Sequence, residues 1–219
     1  MKKLILSVLS LFITTSSFAG VHNYMLWSKP GVKVCFSDGK KEKRSGTVKW
    51  KQEKKDFVRT VIEQEYSKER TGIYFIGFED CETASYKPNV IIYATNFTQA
   101  LKGSRGNSTA GEGFFSVAKP YPSAKGAIEL TSVTLNKTTI IHEFGHTAGL
   151  LHEQDHPDAY EAQSDCSSTS SKTVKKWGVG YTEFDEHSVM NYCYIHSSEG
   201  KEAGLSEGDI ALLKTLYPY

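Results

Sequence analysis

Beyond its first twenty residues the 219-residue chain has no long apolar run, no net charge worth the name, no internal repeat and only four cysteines. Each absence narrows what the protein can be. Without a run of about 20 apolar residues no transmembrane helix is expected. With 26 Lys and Arg against 25 Asp and Glu, there is no positive field to call for a nucleic-acid partner. What is present, 39% hydrophobic and 12% aromatic residues, suffices for one sizeable core, so a single globular domain is the default.

The amino-terminal segment stands apart. Met1-Lys2-Lys3 is a short positive head, "LILSVLSLFI" is an apolar stretch too brief to span a bilayer, and "SFA" puts small residues before Gly20. This predicts a signal peptide over residues 1–19 and an exported domain over 20–219, secreted or periplasmic. No cysteine follows the expected cut, so nothing suggests a lipid anchor. Loss of Lys2 and Lys3 leaves 24 basic residues against 25 acidic ones, a charge of −1. Export makes the four cysteines candidates for disulfides. Three pairings are possible; Cys35 with Cys81 and Cys166 with Cys193 is favoured, because each bridge closes a loop inside one half of the chain.

Strand-like runs occur at "VKVCF" (32–36), "GIYFIGF" (72–78), "NVIIYA" (89–94), "GFFSVA" (113–118) and "AIELT" (127–131), enough for one five-stranded sheet. Phe57, Val58, Val61, Ile62 and Tyr66 recur at helical spacing and predict an amphipathic helix over about 48–68 that covers one sheet face. "LKGSRGNSTAGEG" reads as a loop, and a second helix carries "TTIIHEFGHTAGL". Residues 158–192, with "SDCSSTSSK", look irregular and need a staple. Ser206 and Asp209 form a capping box for a terminal helix, with Leu205 stapled to Ile210. The basic stretch 40–55, with eight Lys and Arg against two Glu, reads as a solvated face.

The densest chemistry is "HEFGHTAGLLHEQDHP", residues 142–157, which holds four of the seven histidines. His142 and His146, four apart, share one helix face. His152, six further on, would point away from that face on a continuing helix, so the helix must break; Gly149 sits where glycine can adopt the left-handed turn that ends it. Three neutral imidazoles with an open fourth position describe a catalytic zinc site, since a structural one wants a fourth protein ligand. Water bound there has a pKa near about 7, and Glu143 is placed to take its proton as general base. Ile140, Ile141, Phe144, Ala148 and Leu150 are then the buried side of this segment.

These residues resemble the metzincin zinc peptidases, whose pattern HExxHxxGxxH is matched by "HEFGHTAGLLH", and "SVMNY" at 188–192 resembles their Met-turn. Glu153 directly after the third histidine, and Tyr192 two after Met190, are similar to the astacin branch. "YMLWSKPGVKVCF", "GYTEFDEHSVMNY" and "LSEGDIALLKTLYP" extend the likeness over residues 20–219. It implies an α+β, two-lobed catalytic domain: a five-stranded, mostly parallel twisted sheet with two long helices, and an irregular C-terminal lobe ending in a helix. It implies one zinc held by His142, His146 and His152, Glu143 as base, Tyr192 as ligand or oxyanion donor, Met190 as an apolar floor, and Glu153 as the partner of a buried amino terminus.

The chain departs from the astacin pattern at His156 and Ala159, where arginines are usual, and at Asn191, where a histidine is usual; astacin-type substrate preference does not carry over. His156 reads as a surface or loop-fixing residue, and His22, His187 and His196 as ordinary. The function expected is a secreted, monomeric zinc endopeptidase that binds protein or peptide substrates as an extended strand, with "GFFSVA" the candidate sheet edge. Two alternatives stand beside it: a narrow-specificity enzyme for cell-wall or one small peptide, and a binding module with structural zinc. Glu143 argues against the last, because a structural site has no use for an unliganded base.

Overall fold

The computed structural model describes residues 20–23, 25–41, 46–95, 106–108, 124–131, 135–159 and 179–218. The predicted signal peptide, "GFFSVA" and Cys166 lie outside them. Strands β2 (Gly31–Ser37), β4 (Tyr74–Asp80), β5 (Val90–Thr95), β6 (Gly106–Ser108) and β7 (Gly126–Thr131) form a sheet in the order β4-β2-β5-β7-β6. The β4–β2, β2–β5 and β5–β7 pairings are parallel, and β6 runs antiparallel to β7. A two-residue strand, β3 (Thr47–Val48), pairs with the end of β5 at residues 94–95, beyond the stretch that β2 covers. The sheet is thus the mixed, mostly parallel one expected. β6 falls inside the segment read as a loop, its three residues GNS carrying no alternating pattern by which a strand is recognised.

Side-chain parity explains the layers. Val32, Val34 and Phe36 of β2 and Val90, Ile92 and Ala94 of β5 belong to the main core, while Cys35, Ile91 and Tyr93 face the other way into a smaller cluster. β5 is therefore buried on both faces, which is why its sequence is continuously apolar rather than alternating. Over the main face lie α1 (Gln52–Glu65) and α3 (Lys137–Thr147), the two long helices. Val58, Val61, Ile62 and Tyr66 are buried as their spacing requires; Phe57 is 40% exposed, at the margin of that stripe. Phe144 of α3 meets Phe75 of β4 edge-on at 4.8 Å, a geometry that favours the rings' quadrupoles.

Polar contacts fix where α3 starts. Glu65 at the end of α1 receives Lys137 at 2.9 Å and, across α2 (Lys68–Thr71), Arg70 at 3.2 Å. Its carboxylate also accepts from the Leu205 amide. One buried acid thus ties α1, the first residue of α3 and the approach to the last helix.

The second half is less regular. β1 (Val21–Asn23) pairs antiparallel with β8 (Val179–Tyr181), a short α4 covers Tyr192–His196, and α5 (Glu207–Leu216) closes the described chain. The Ser206–Asp209 capping box is present, and Leu205 and Ile210 are both buried in the main core. Among the described residues no helix is long and apolar enough to cross a membrane.

Cys35 and Cys81 are joined across 46 residues, as the sequence suggests. Cys193 is also disulfide-bonded. Replacing both Cys35 and Cys81 by alanine should lower unfolding stability by about 2–4 kcal/mol, because the reduced chain regains the freedom of a long loop. Urea denaturation measures this, and an unmoved midpoint would show the bridge to be energetically idle.

Candidate metal centre

Helix α3 begins at Asn136, whose side chain accepts the Thr139 amide at 2.8 Å, and it presents His142 and His146 one turn apart. It ends in two paired backbone hydrogen bonds, Gly149 N–H to His146 O and Leu150 N–H to Gly145 O, both 2.9 Å. That is a Schellman turn, and it needs the φ of +100° that Gly149 adopts. Two carbonyls in the last turn are taken by side chains: Trp27 Nε1–H donates to Thr147 O at 2.7 Å, and the Tyr217 hydroxyl donates to Ala148 O at 2.9 Å. After the turn, Leu151 N–H bonds to Val21 O at 2.8 Å, so the reversed chain runs beside β1. His152, with extended backbone (φ −63°, ψ 130°), then turns back toward the first two histidines.

The ligand atoms of His142, His146 and His152 all lie within 4.8 Å of one another, and Nε2 of His146 is 3.0 Å from Nε2 of His152. His142 Nδ1–H donates to Val189 O and His146 Nδ1–H to Leu150 O, each at 2.9 Å. Carbonyls only accept, so the protons sit on Nδ1 and both Nε2 lone pairs face inward. Burial first, and then the neighbouring imidazoles, push both histidines down to about 3, which keeps them neutral. Three close ring nitrogens, two of them on imidazoles that burial keeps neutral, are the donor set of a zinc site that leaves a fourth position open.

The surroundings are equally specific. Met190 lies beneath α3, and a Cβ on Gly145 would come within 2.6 Å of its sulfur, so glycine is what lets the floor approach. Glu143 is 5% exposed. The Tyr192 ring lies 4.4 Å from the His152 ring and 5.4 Å from that of His142. Burial raises the Tyr192 phenol, and the charge of Glu143 raises it further. Glu153 is fully buried: Oε1 accepts the Asp185 amide at 2.8 Å, Oε2 makes no hydrogen bond, and burial pushes the carboxyl up to about 8.

The sequence model of the dual-action HEIGH metallo-peptidase family matches residues 55–217, nearly three-quarters of the chain. The protein belongs to this family. The family's HEIGH pentapeptide stands here as HEFGH, residues 142–146. It is a zinc metallopeptidase, with zinc held by His142, His146 and His152. Its fold is metzincin-like. Solved structures similar to it include myroilysin, at 18% identity and TM-score 0.55, covering 91% of this chain and 99% of that one. Another is high choriolytic enzyme 1, a hatching-enzyme zinc protease of the medaka Oryzias latipes, at 16% identity and TM-score 0.54, covering 88% and 94%. No curated protein matches by sequence.

Several contacts lay beyond sequence reasoning. His156 is no surface residue: it is 5% exposed, its Nε2–H donates to Thr182 O at 2.7 Å, and Nδ1 accepts the Asp158 amide, so it fixes the loop. Gln154 accepts the Tyr192 amide at 3.2 Å. Asp209, read only as a capping residue, also grips Ser188 and Val189 of the Met-turn.

Gly149→Ala forces a side chain into left-handed backbone, at a cost of about 1–2 kcal/mol. It should lower the melting temperature and weaken zinc binding together, since the same turn aims His152. Differential scanning calorimetry with a chelator-competition titration checks both, and retention of both would mean that the turn tolerates a Cβ.

Proposed function

We propose that the protein is an exported endopeptidase in which Glu143 is the general base and Tyr192 the oxyanion donor. Zinc held by His142, His146 and His152 would supply a Lewis acid that lowers the pKa of a bound water toward about 7. Glu143 accepts that water's proton on its carboxylate as the scissile carbonyl is attacked, then returns it to the departing amine. The Tyr192 phenol, kept protonated by burial and by the neighbouring glutamate, donates a hydrogen bond to the oxyanion as charge develops there. The observation that supports the reading most directly is that buried Glu143 adjoins the ligand His142 on α3 while the Tyr192 ring lies 5.4 Å from the His142 ring and 4.4 Å from that of His152.

The substrate lies as an extended strand along the outer side of β6, which is the last strand of the sheet among the described residues and borders α3. The chain acts as a monomer after removal of residues 1–19. Support for that cleavage comes from the surroundings of Gly20: a Cβ there would lie 3.7 Å from Glu153 Oε2. The α-ammonium freed at Gly20 is the cation that the buried carboxylate accepts, so export and maturation are one event. The Cys35–Cys81 bridge fits an oxidising compartment.

Two measurements test this. Residues 20–219 and their Glu143→Ala variant should each hold one zinc, while casein cleavage falls by about 100-fold or more in the variant; equal cleavage removes Glu143 from the mechanism, and zinc without cleavage in either points to a narrow-specificity enzyme. A mature chain extended by two residues before Gly20 should melt lower or cut more slowly. Unchanged behaviour would separate the amino terminus from the site.

A further inference from the structure

The zinc ligand His142 is the end of a buried hydrogen-bond chain that starts at a carboxylate on the last helix. His142 Nδ1–H donates to Val189 O at 2.9 Å. The same peptide group carries Met190 N–H, which donates to Ser188 Oγ at 3.0 Å. The Ser188 hydroxyl in turn donates to Asp209 Oδ1 at 2.7 Å, while Oδ2 accepts the Val189 and Ser206 amides at 3.0 and 3.1 Å. Ser188 and Val189 are fully buried, Asp209 and Met190 are 1% exposed and His142 4% exposed. Each link leaves a donor on one side of a group and an acceptor on the other. Such a chain polarises cooperatively, and it does so most where water is excluded.

We propose that Asp209 and Ser188 are positioning residues for zinc: through the Val189–Met190 peptide they fix the tautomer, orientation and donor strength of His142. This rests on the triad holding the metal, and it deepens that assignment by adding an anion outside the coordination shell. A carboxylate bonded directly to a ligand imidazole is the common arrangement. Here a hydroxyl and one peptide group are interposed, and the polarity of every link is set so that negative charge on Asp209 strengthens the carbonyl that receives the imidazole proton. The Met-turn then has a polar duty beside its apolar one. It supplies the methionine floor and carries the connection.

The test separates this role from plain stability. Ser188→Ala breaks the chain between Met190 N–H and Asp209 Oδ1. Ser206→Ala removes the capping hydroxyl that accepts Asp209 N–H at 2.9 Å and donates to Asp185 Oδ2 at 2.6 Å, weakening the same helix while every hydrogen bond from the Asp209 carboxylate through Ser188 to His142 stays in place. Zinc affinity of each purified variant is measured by competition with a chromogenic chelator, and thermal melting of the metal-free proteins runs alongside. The expected result is a loss of zinc affinity of about 10-fold or more in Ser188→Ala, with Ser206→Ala within about 2-fold of the parent at a comparable drop in melting temperature. Asp209→Asn, which keeps shape and removes the charge, should fall on the Ser188→Ala side. Unchanged affinity in Ser188→Ala overturns the proposal, as does an equal loss in Ser206→Ala. Because the readout is zinc affinity, Glu143→Ala with full zinc and no cleavage leaves it standing, and an inactive Glu143 does not rescue it.

Discussion

Helix α3 can present two histidines on one face but not three at this spacing, and the site depends on how the chain solves that problem. Six residues past His146 a continuing helix would carry His152 to the wrong side. The left-handed residue at Gly149 stops the helix, the two Schellman hydrogen bonds close it, and the chain doubles back along β1. Nothing else in the site could be in place without that reversal. It carries His152 to the metal, it aligns Glu153 N–H with Met190 O at 3.1 Å, and it sets the Glu153 carboxylate beside Gly20.

The reversal is itself held from outside. Trp27, just before β2, and Tyr217, at the end of α5, each donate to a carbonyl in the last turn of α3, and Trp27 N–H also reaches the Tyr217 hydroxyl at 3.4 Å. Residues almost two hundred positions apart in sequence therefore meet at one helix terminus. At the other end Asn136 caps the helix and Lys137 pairs with buried Glu65. The helix that bears the chemistry is pinned at both ends by side chains from other elements, away from its metal-facing side. Such support lets buried neutral imidazoles keep a fixed aim.

How much of this the sequence discloses follows from how local each feature is. The histidine spacing, the glycine break, the capping box at Ser206 and the two helix stripes are set within a dozen residues, and each is where the pattern placed it. The β5 strand was legible because burial on both faces leaves a continuous apolar run. By contrast β6 has three residues without alternation and exists as a strand through its pairing with β7. His156, Gln154 and the Met-turn duty of Asp209 were illegible for the same reason: their partners, Thr182, Tyr192 and Ser188, are brought near only by the fold. A histidine that donates to a distant carbonyl has the same letter as one that faces solvent. Phe57 marks the converse limit, since its spacing fits the stripe but its position at the margin leaves it exposed.

The electrostatics of the finished site argue that metal and fold are one equilibrium. His142 and His146 are held neutral at the cost of desolvation, their Nδ1–H groups committed to the Val189 and Leu150 carbonyls, and Nε2 of His146 lies only 3.0 Å from Nε2 of His152. Ring nitrogens brought this close in a largely buried patch are best satisfied by a cation between them. The three ligands come from a helix stacked on the sheet and from the reversed segment after it, and the Met-turn that underlies them is fastened to α5 by Asp209. Zinc therefore joins α3 to the reversed segment that follows it, so part of its binding free energy goes into holding that reversal. A peptidase built this way gains its ligand geometry and the closure of its helix-ending turn together.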